Sequence, residues 1–117
     1  MSKRLWNQVE ELNWQSDGDY RRIEEFIKNR YNINSAKELA EFVDSKAAEL
    51  GREFAKAWLG DPGIACSDDG WSDLRYEVVG RGREFFETIT VGKLQEMADN
   101  NDYRESLSYS FQFLYSH

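Results

Sequence analysis

The 117-residue chain has one cysteine, one proline and one histidine, and no apolar run near the length of a membrane span. Each scarcity excludes something. With Cys66 alone, no internal disulfide can form. His117, the last residue, is the single imidazole, so Cys66 has no nearby base to make it a nucleophile and no ligand set for zinc. Cys66 therefore reads as a small buried residue. The lone proline, Pro62, and the few β-branched residues leave long stretches free to wind into helix. A bilayer crossing needs about 20 consecutive apolar residues, and none exist here. The opening Met1-Ser2-Lys3-Arg4-Leu5-Trp6-Asn7 holds no apolar core of the kind a secretory leader requires, so the expected location is cytoplasmic.

Basic residues are in deficit too. Fifteen Lys and Arg face 22 Asp and Glu, a net charge of −7. From Ser35 to Gly80 the chain carries five basic and ten acidic side chains. Such a surface repels phosphate, so neither nucleic acid nor an anionic membrane is an expected partner by general attraction. A protein with a basic or mixed surface is. Hydrophobic residues make up 40% and aromatics 15%, enough for a packed core and too much for disorder. The length fits one domain over 1–117.

The apolar residues recur at helical spacing almost everywhere. Ser2 can cap a first helix with Leu5, Val9 and Leu12 on one face, Trp6 beside them and Trp14 near its end. A turn over 15–18 follows, then a second helix capped by Asp17 or Asp19 and carrying Tyr20, Ile23, Phe26, Ile27 and Tyr31. Ser35 and Glu38 form a capping box. It opens the longest helix, from Ser35 to about Leu59, roughly 37 Å long at 1.5 Å per residue. Its face of Leu39, Phe42, Val43, Ala47, Leu50, Phe54, Ala57 and Trp58 is broad enough for two neighbours. Gly60-Asp61-Pro62-Gly63 ends it, and Ile64-Ala65-Cys66 reads as a short buried link. Thr90 can cap a helix holding Leu94 and Met97. Asp102 can cap a last helix with Tyr103, Leu107, Phe111 and Leu114 on one face. The expected fold is all-α, a compact bundle of about six or seven helices around one long central helix.

The least ordinary stretch runs from 66 to 87. Ser67 is a good N-cap, with Asp68 and Asp69 in the first turn against the positive helix end. Trp71, Leu74, Val78 and Val79 make an apolar stripe, and Asp73, Arg75 and Glu77 a charged flank. Gly80 and Gly82 interrupt the helix, and a second short helix from Arg83 to about Ile89 follows. Cys66-Ser67-Asp68-Asp69-Gly70-Trp71, then Leu74-Arg75, Val78-Val79 and Gly82-Arg83-Glu84-Phe85-Phe86-Glu87, resembles a bacterial domain-of-unknown-function family, the one numbered 4240. That family's mark is Cys-Ser-Asp-Asp-Gly and an aromatic, followed by an aromatic–Arg pair, an apolar run and Gly-Arg-Glu-x-Phe-Glu. The register holds without a gap. Glu77 stands where the family tends to carry Trp, and Leu74 replaces an aromatic. The likeness extends more weakly to Leu5-Trp6 and to the long helix before Cys66. It implies a helical domain and no particular activity.

Several groupings could carry chemistry. Asp68, Asp69 and Asp73 are hard oxygen ligands, but glycine arrives at Gly70 rather than at the sixth position of a calcium loop, so metal is disfavoured. Gly80-Arg81-Gly82-Arg83 follows a helix rather than a strand, unlike a phosphate loop. No cofactor is expected. The favoured reading is a non-enzymatic interaction protein that binds a basic partner surface. Immunity proteins and phage-borne nuclease inhibitors are its analogues in size and charge. Its binding residues would be Asp69, Asp73, Arg75, Tyr76, Arg83 and Phe85, with Ser67 and Asp68 structural. The alternative is a small-ligand binder or enzyme using the Asp68, Asp69, Arg75 and Arg83 group.

Overall fold

A computed structural model describes residues 2–14, 18–60, 63–64 and 66–115. The expected turn residues 15–17 and 61–62, the link residue Ala65 and His117 lie outside that set. Among the described residues there are seven α-helices, one 3₁₀ helix and no strand, an all-α bundle as expected.

Helix α1, Ser2–Glu11, starts at Ser2 itself rather than after it. It buries Trp6 and Val9, with Leu12 just beyond its end, and stops where Asn13 turns left-handed at φ 57°. Helix α2, Tyr20–Arg30, is capped by Asp19, whose carboxylate accepts from the Arg21 N–H at 3.0 Å. It buries Ile23 and Ile27.

The central helix, α3, spans Ile33–Glu53. Its cap is Asn32 and not Ser35: the Asn32 amide oxygen accepts from the Ser35 N–H at 2.8 Å. The expected capping box is thereby displaced, and Glu38 instead reaches Arg4 of α1 at 2.9 Å. The helix breaks at Phe54 (φ −106°, ψ 15°) rather than running on to Leu59. Its bonds carry across the bend, from the Phe54 N–H to Leu50 and from the Trp58 N–H to Phe54, into the short α4, Ala55–Leu59. Gly51, a poor helix former, sits inside α3 without breaking it. A Cβ there would lie 2.9 Å from the Arg75 guanidinium, so glycine makes room for that side chain. At 21 residues α3 is about 32 Å long, shorter than the 44 Å long axis of the molecule.

Helix α5, Asp68–Gly80, packs along α3. Gly82 follows at φ 105°, a conformation for which glycine is suited. Helix α6, Arg83–Thr88, has no capping side chain of its own at Gly82. Glu10 supplies one from α1: its carboxylate accepts from the Arg83 N–H at 3.0 Å. Helix α7, Val91–Asp99, is capped by Thr90 as expected and buries Leu94, Met97 and Ala98.

The C-terminal helix departs from the reading most. It is a 3₁₀ helix over Leu107–Leu114, capped by Ser106, and does not begin after Asp102. Asp102 is engaged elsewhere: its carboxylate holds Arg81 at 3.0 Å and its N–H donates to Met97. The tighter winding places Leu107 and Ser110, three apart, in the same buried layer. Ser110 donates to the Tyr20 carbonyl at 2.8 Å, fastening this helix to the start of α2. It packs on α2, α3 and α5, while α3 also touches α1 and α4. The core is one continuous cluster joining α1, α2, α3, α5, α7 and the 3₁₀ helix, and the radius of gyration is 14.0 Å. No described helix is long and apolar enough to cross a membrane.

One glycine tests this packing directly. A Cβ on Gly80 would collide with the Trp14 ring, whereas one on Gly92 would find Thr90 Oγ1 at 3.9 Å and open space otherwise. Urea denaturation should show Gly80→Ala losing about 2 kcal/mol or more by overpacking. Gly92→Ala should gain up to about 1 kcal/mol from helix propensity and a stiffer unfolded chain. Equal behaviour of the two variants would contradict the close approach of Trp14 to α5.

Candidate functional site: the three faces of helix α5

The residues expected to form one recognition patch are distributed over three separate places. Ser67 caps α5, accepting from the Gly70 N–H at 3.1 Å, and Asp68 and Asp69 occupy the exposed first turn. Gly70 is closely packed there. A Cβ would meet the Tyr103 hydroxyl at 2.9 Å and Cys66 at 3.2 Å. Burial raises the pKa of the Cys66 thiol, with the Trp58 side chain acting weakly against it, so Cys66 stays protonated.

On the first face, Asp69, Ser72 and Asp73 of α5 meet Glu105, Ser106, Ser108 and Tyr109 around an open recess of about 360 Å³. Burial lifts the Asp73 carboxyl above the usual carboxylate range. Repulsion from Asp69 and Glu105 adds to this, and the Ser106 backbone N–H works against it. Among the described residues, no ion pair reaches Asp69, Asp73 or Glu105. Nor can any group of three or more His, Cys, Asp and Glu among them hold a metal ion.

On the second face, Arg75 and Tyr76 turn toward α3. Arg75 donates to the Ala47 carbonyl at 3.0 Å, and its guanidinium lies 5.6 Å from the Trp71 ring centre, with Trp71 in turn stacked on Trp58. The Tyr76 hydroxyl donates to Asp44 at 2.7 Å. Burial first, and then that carboxylate, hold it protonated far above its ordinary range. Both side chains are half-buried and occupied in binding α3.

Arg83 and Phe85 belong to α6, away from both faces. The Arg83 side chain pairs with Glu87 at 3.1 Å, and Phe85 lies under the Arg81 guanidinium at 5.1 Å. Asp69 and Asp73 therefore share a recess, while Arg75, Tyr76, Arg83 and Phe85 do not join them. The Asp68, Asp69, Arg75 and Arg83 group is likewise not assembled.

The third face carries what the sequence reading placed wrongly. Glu77, expected on a charged flank, is buried, with 1% of its surface exposed. Its carboxylate accepts from Trp14 Nε1 at 3.1 Å, from Arg81 Nε at 2.9 Å, and from Arg104 at its backbone N–H (3.2 Å) and its Nη2 (2.6 Å). Arg81 extends the network to Asp102, and the Arg104 guanidinium lies 5.3 Å from the Trp14 ring centre. A positional signal existed: Glu77 follows Leu74 by three residues and precedes Val78, so it falls within the buried stripe. Its charge argued for the surface, and the arginines that compensate it lie at 81 and 104.

Comparisons with family models, with curated proteins and with solved structures found no match to this chain.

Glu77 and Asp73, four residues apart on one helix, should affect stability with opposite sign. Burial opposes the Glu77 charge, but the bonds from Arg104, Arg81 and Trp14 outweigh it and hold the carboxyl below its ordinary value. Its contribution is complete above the unfolded carboxyl value of about 4.3 and is lost as pH falls through the lower folded value. Asp73, with its folded pKa raised, destabilises above that value, and acidification through it is favourable. Denaturation at stepped pH should therefore show Glu77→Gln losing about 3 kcal/mol at neutral pH, a deficit that shrinks in acid. Asp73→Asn should melt at or above the parent temperature at neutral pH, with its advantage vanishing in acid. A neutral Glu77→Gln would remove the buried network from the account of the fold.

Proposed function

We propose that the protein is a small interaction module whose acidic recess receives a lysine or arginine side chain from a basic partner protein. The observation that carries this reading is the half-buried Asp73 carboxylate, set beside Asp69 and Glu105 with no ion-pair partner among the described residues. Such an arrangement costs the free protein stability. A guanidinium or ammonium entering the recess would relieve it, satisfy the carboxylates, and gain from the lower dielectric there. Tyr109, 38% exposed at the rim and edge-on to Tyr20 at 5.4 Å, offers an aromatic anchor of the kind that dominates interfaces. The net charge of −7 would steer a basic partner in and keep phosphate polymers out. On this reading the protein acts in the cytoplasm as an inhibitor or immunity-type protein, without catalysis. The pattern over 66–87 supports placing it beside the 4240 family, with its acidic first turn forming part of the docking edge.

Hexa-arginine and hexa-lysine peptides are direct probes. The expected result is saturable binding that raises the melting temperature and weakens as salt is added. The double change Asp69→Asn, Asp73→Asn should weaken that binding about tenfold while leaving the fold as stable or more so. The same variant should release the partner captured from native-host extract by the parent protein. Retention of both peptide and partner by the double variant would refute the reading.

A further inference from the structure

We propose that Phe42, Phe86 and Trp6 form a recognition site for a quaternary ammonium group, closed in this state by the chain's own Lys46. Three helices build it. Phe42 and Lys46 are one turn apart on α3, Phe86 comes from α6 and Trp6 from α1. The Lys46 ammonium lies 5.5 Å from the Phe42 ring centre and 5.6 Å from that of Phe86, shared between the two rings. Trp6, buried, braces both, with its ring centre 5.2 Å from each at interplanar angles of 86° and 49°. Glu49 closes the arrangement with a carboxylate oxygen 2.8 Å from the ammonium. Two ring faces and one carboxylate around a single positive nitrogen are the parts an organic-cation site requires.

The occupant is exchangeable. The Lys46 side chain keeps 21% of its surface exposed and Glu49 keeps 42%, while Phe42 and Phe86 are half-buried. The flexible stem of Lys46 can therefore swing to solvent without moving α3. Its departure leaves ring faces already braced by Trp6 and a carboxylate to balance an incoming charge. A primary ammonium is strongly hydrated and relies on its N–H bond to Glu49. A quaternary ammonium carries no N–H to satisfy and is more weakly hydrated, so it suits the ring faces better. Lys46 acts as a tethered competitor, and the resting site is self-inhibited. This site is distinct from the acidic recess and does not depend on it.

The test is a nuclear magnetic resonance titration with tetramethylammonium chloride, against sodium chloride at equal ionic strength. It follows the Trp6 indole and the phenylalanine rings in the parent, in Lys46→Ala and in Lys46→Gln. Both variants should give saturable shifts with an affinity about tenfold above the parent, and adding Phe86→Leu should abolish that gain. A trimethyl-lysine peptide and phosphocholine, titrated into the same variants, separate a modified protein partner from a choline-type head group. Tighter binding of either one supports the site and names its source. Folded Lys46 variants that show no saturable shift with any of the three probes would overturn the proposal, as would a gain in affinity that survives Phe86→Leu.

Discussion

The buried charge of Glu77 is the constraint on which the rest of the molecule depends. A carboxylate without exposed surface is tolerated when its oxygens are filled, and four donor groups from three parts of the chain fill them. Each donor then has a fixed place. Trp14 must lie against α5, which requires Gly80 to have no side chain. Arg81, the C-cap of α5, must stay against Glu77, and Gly82 then turns the chain into α6. Arg104 must cross over Gly18, where a Cβ would overlap its guanidinium. The positions of three glycine-dependent crossings thus follow from one anion.

Helix α5 consequently serves two different purposes on different sides. Toward the core and toward α3 its charged and hydroxyl groups each hold a partner, Glu77 with two arginines, Arg75 with a carbonyl and Tyr76 with Asp44, although Arg75 Nε is left buried without one. Toward the recess its two carboxylates, Asp69 and Asp73, face Glu105 with no ion-pair partner among the described residues. The contrast on a single helix separates groups that stabilise the fold from groups free to act on something else.

Much of the fold was legible because it rests on local rules. Ser67, Asp19 and Thr90 cap as their side chains dictate, and the stripes of α2, α3 and α5 point inward as their spacing requires, save Phe26 of α2, which is exposed. The failures share one cause, which is competition from distant groups. Ser35 lost its cap role to Asn32, three residues earlier, with Glu38 drawn away to Arg4. Asp102 lost its own to Arg81, and the last helix starts instead at the Ser106 cap and winds as 3₁₀. The candidate site was half legible. Asp69 and Asp73 do converge, because helical spacing brings i and i+4 together. Arg83 is near them in sequence alone, since the turn at Gly82 takes it elsewhere. Glu105, which completes the recess, lies beyond α7 in a capping pattern of its own, so spacing along α5 gives no link to it.

The reach of the Glu77 network along the chain has a consequence for the order of folding. Trp14 stands 63 residues before the carboxylate and Arg104 stands 27 after it. A growing chain that has released α5 but not Arg104 holds an anion with part of its complement, and that anion favours water over the interior. The long-range closure around Trp14 must then wait for the C-terminal segment, however early α3 and α5 wind up on their own. Whether the helices already wound become one core therefore depends on Arg104 and the segment that carries it.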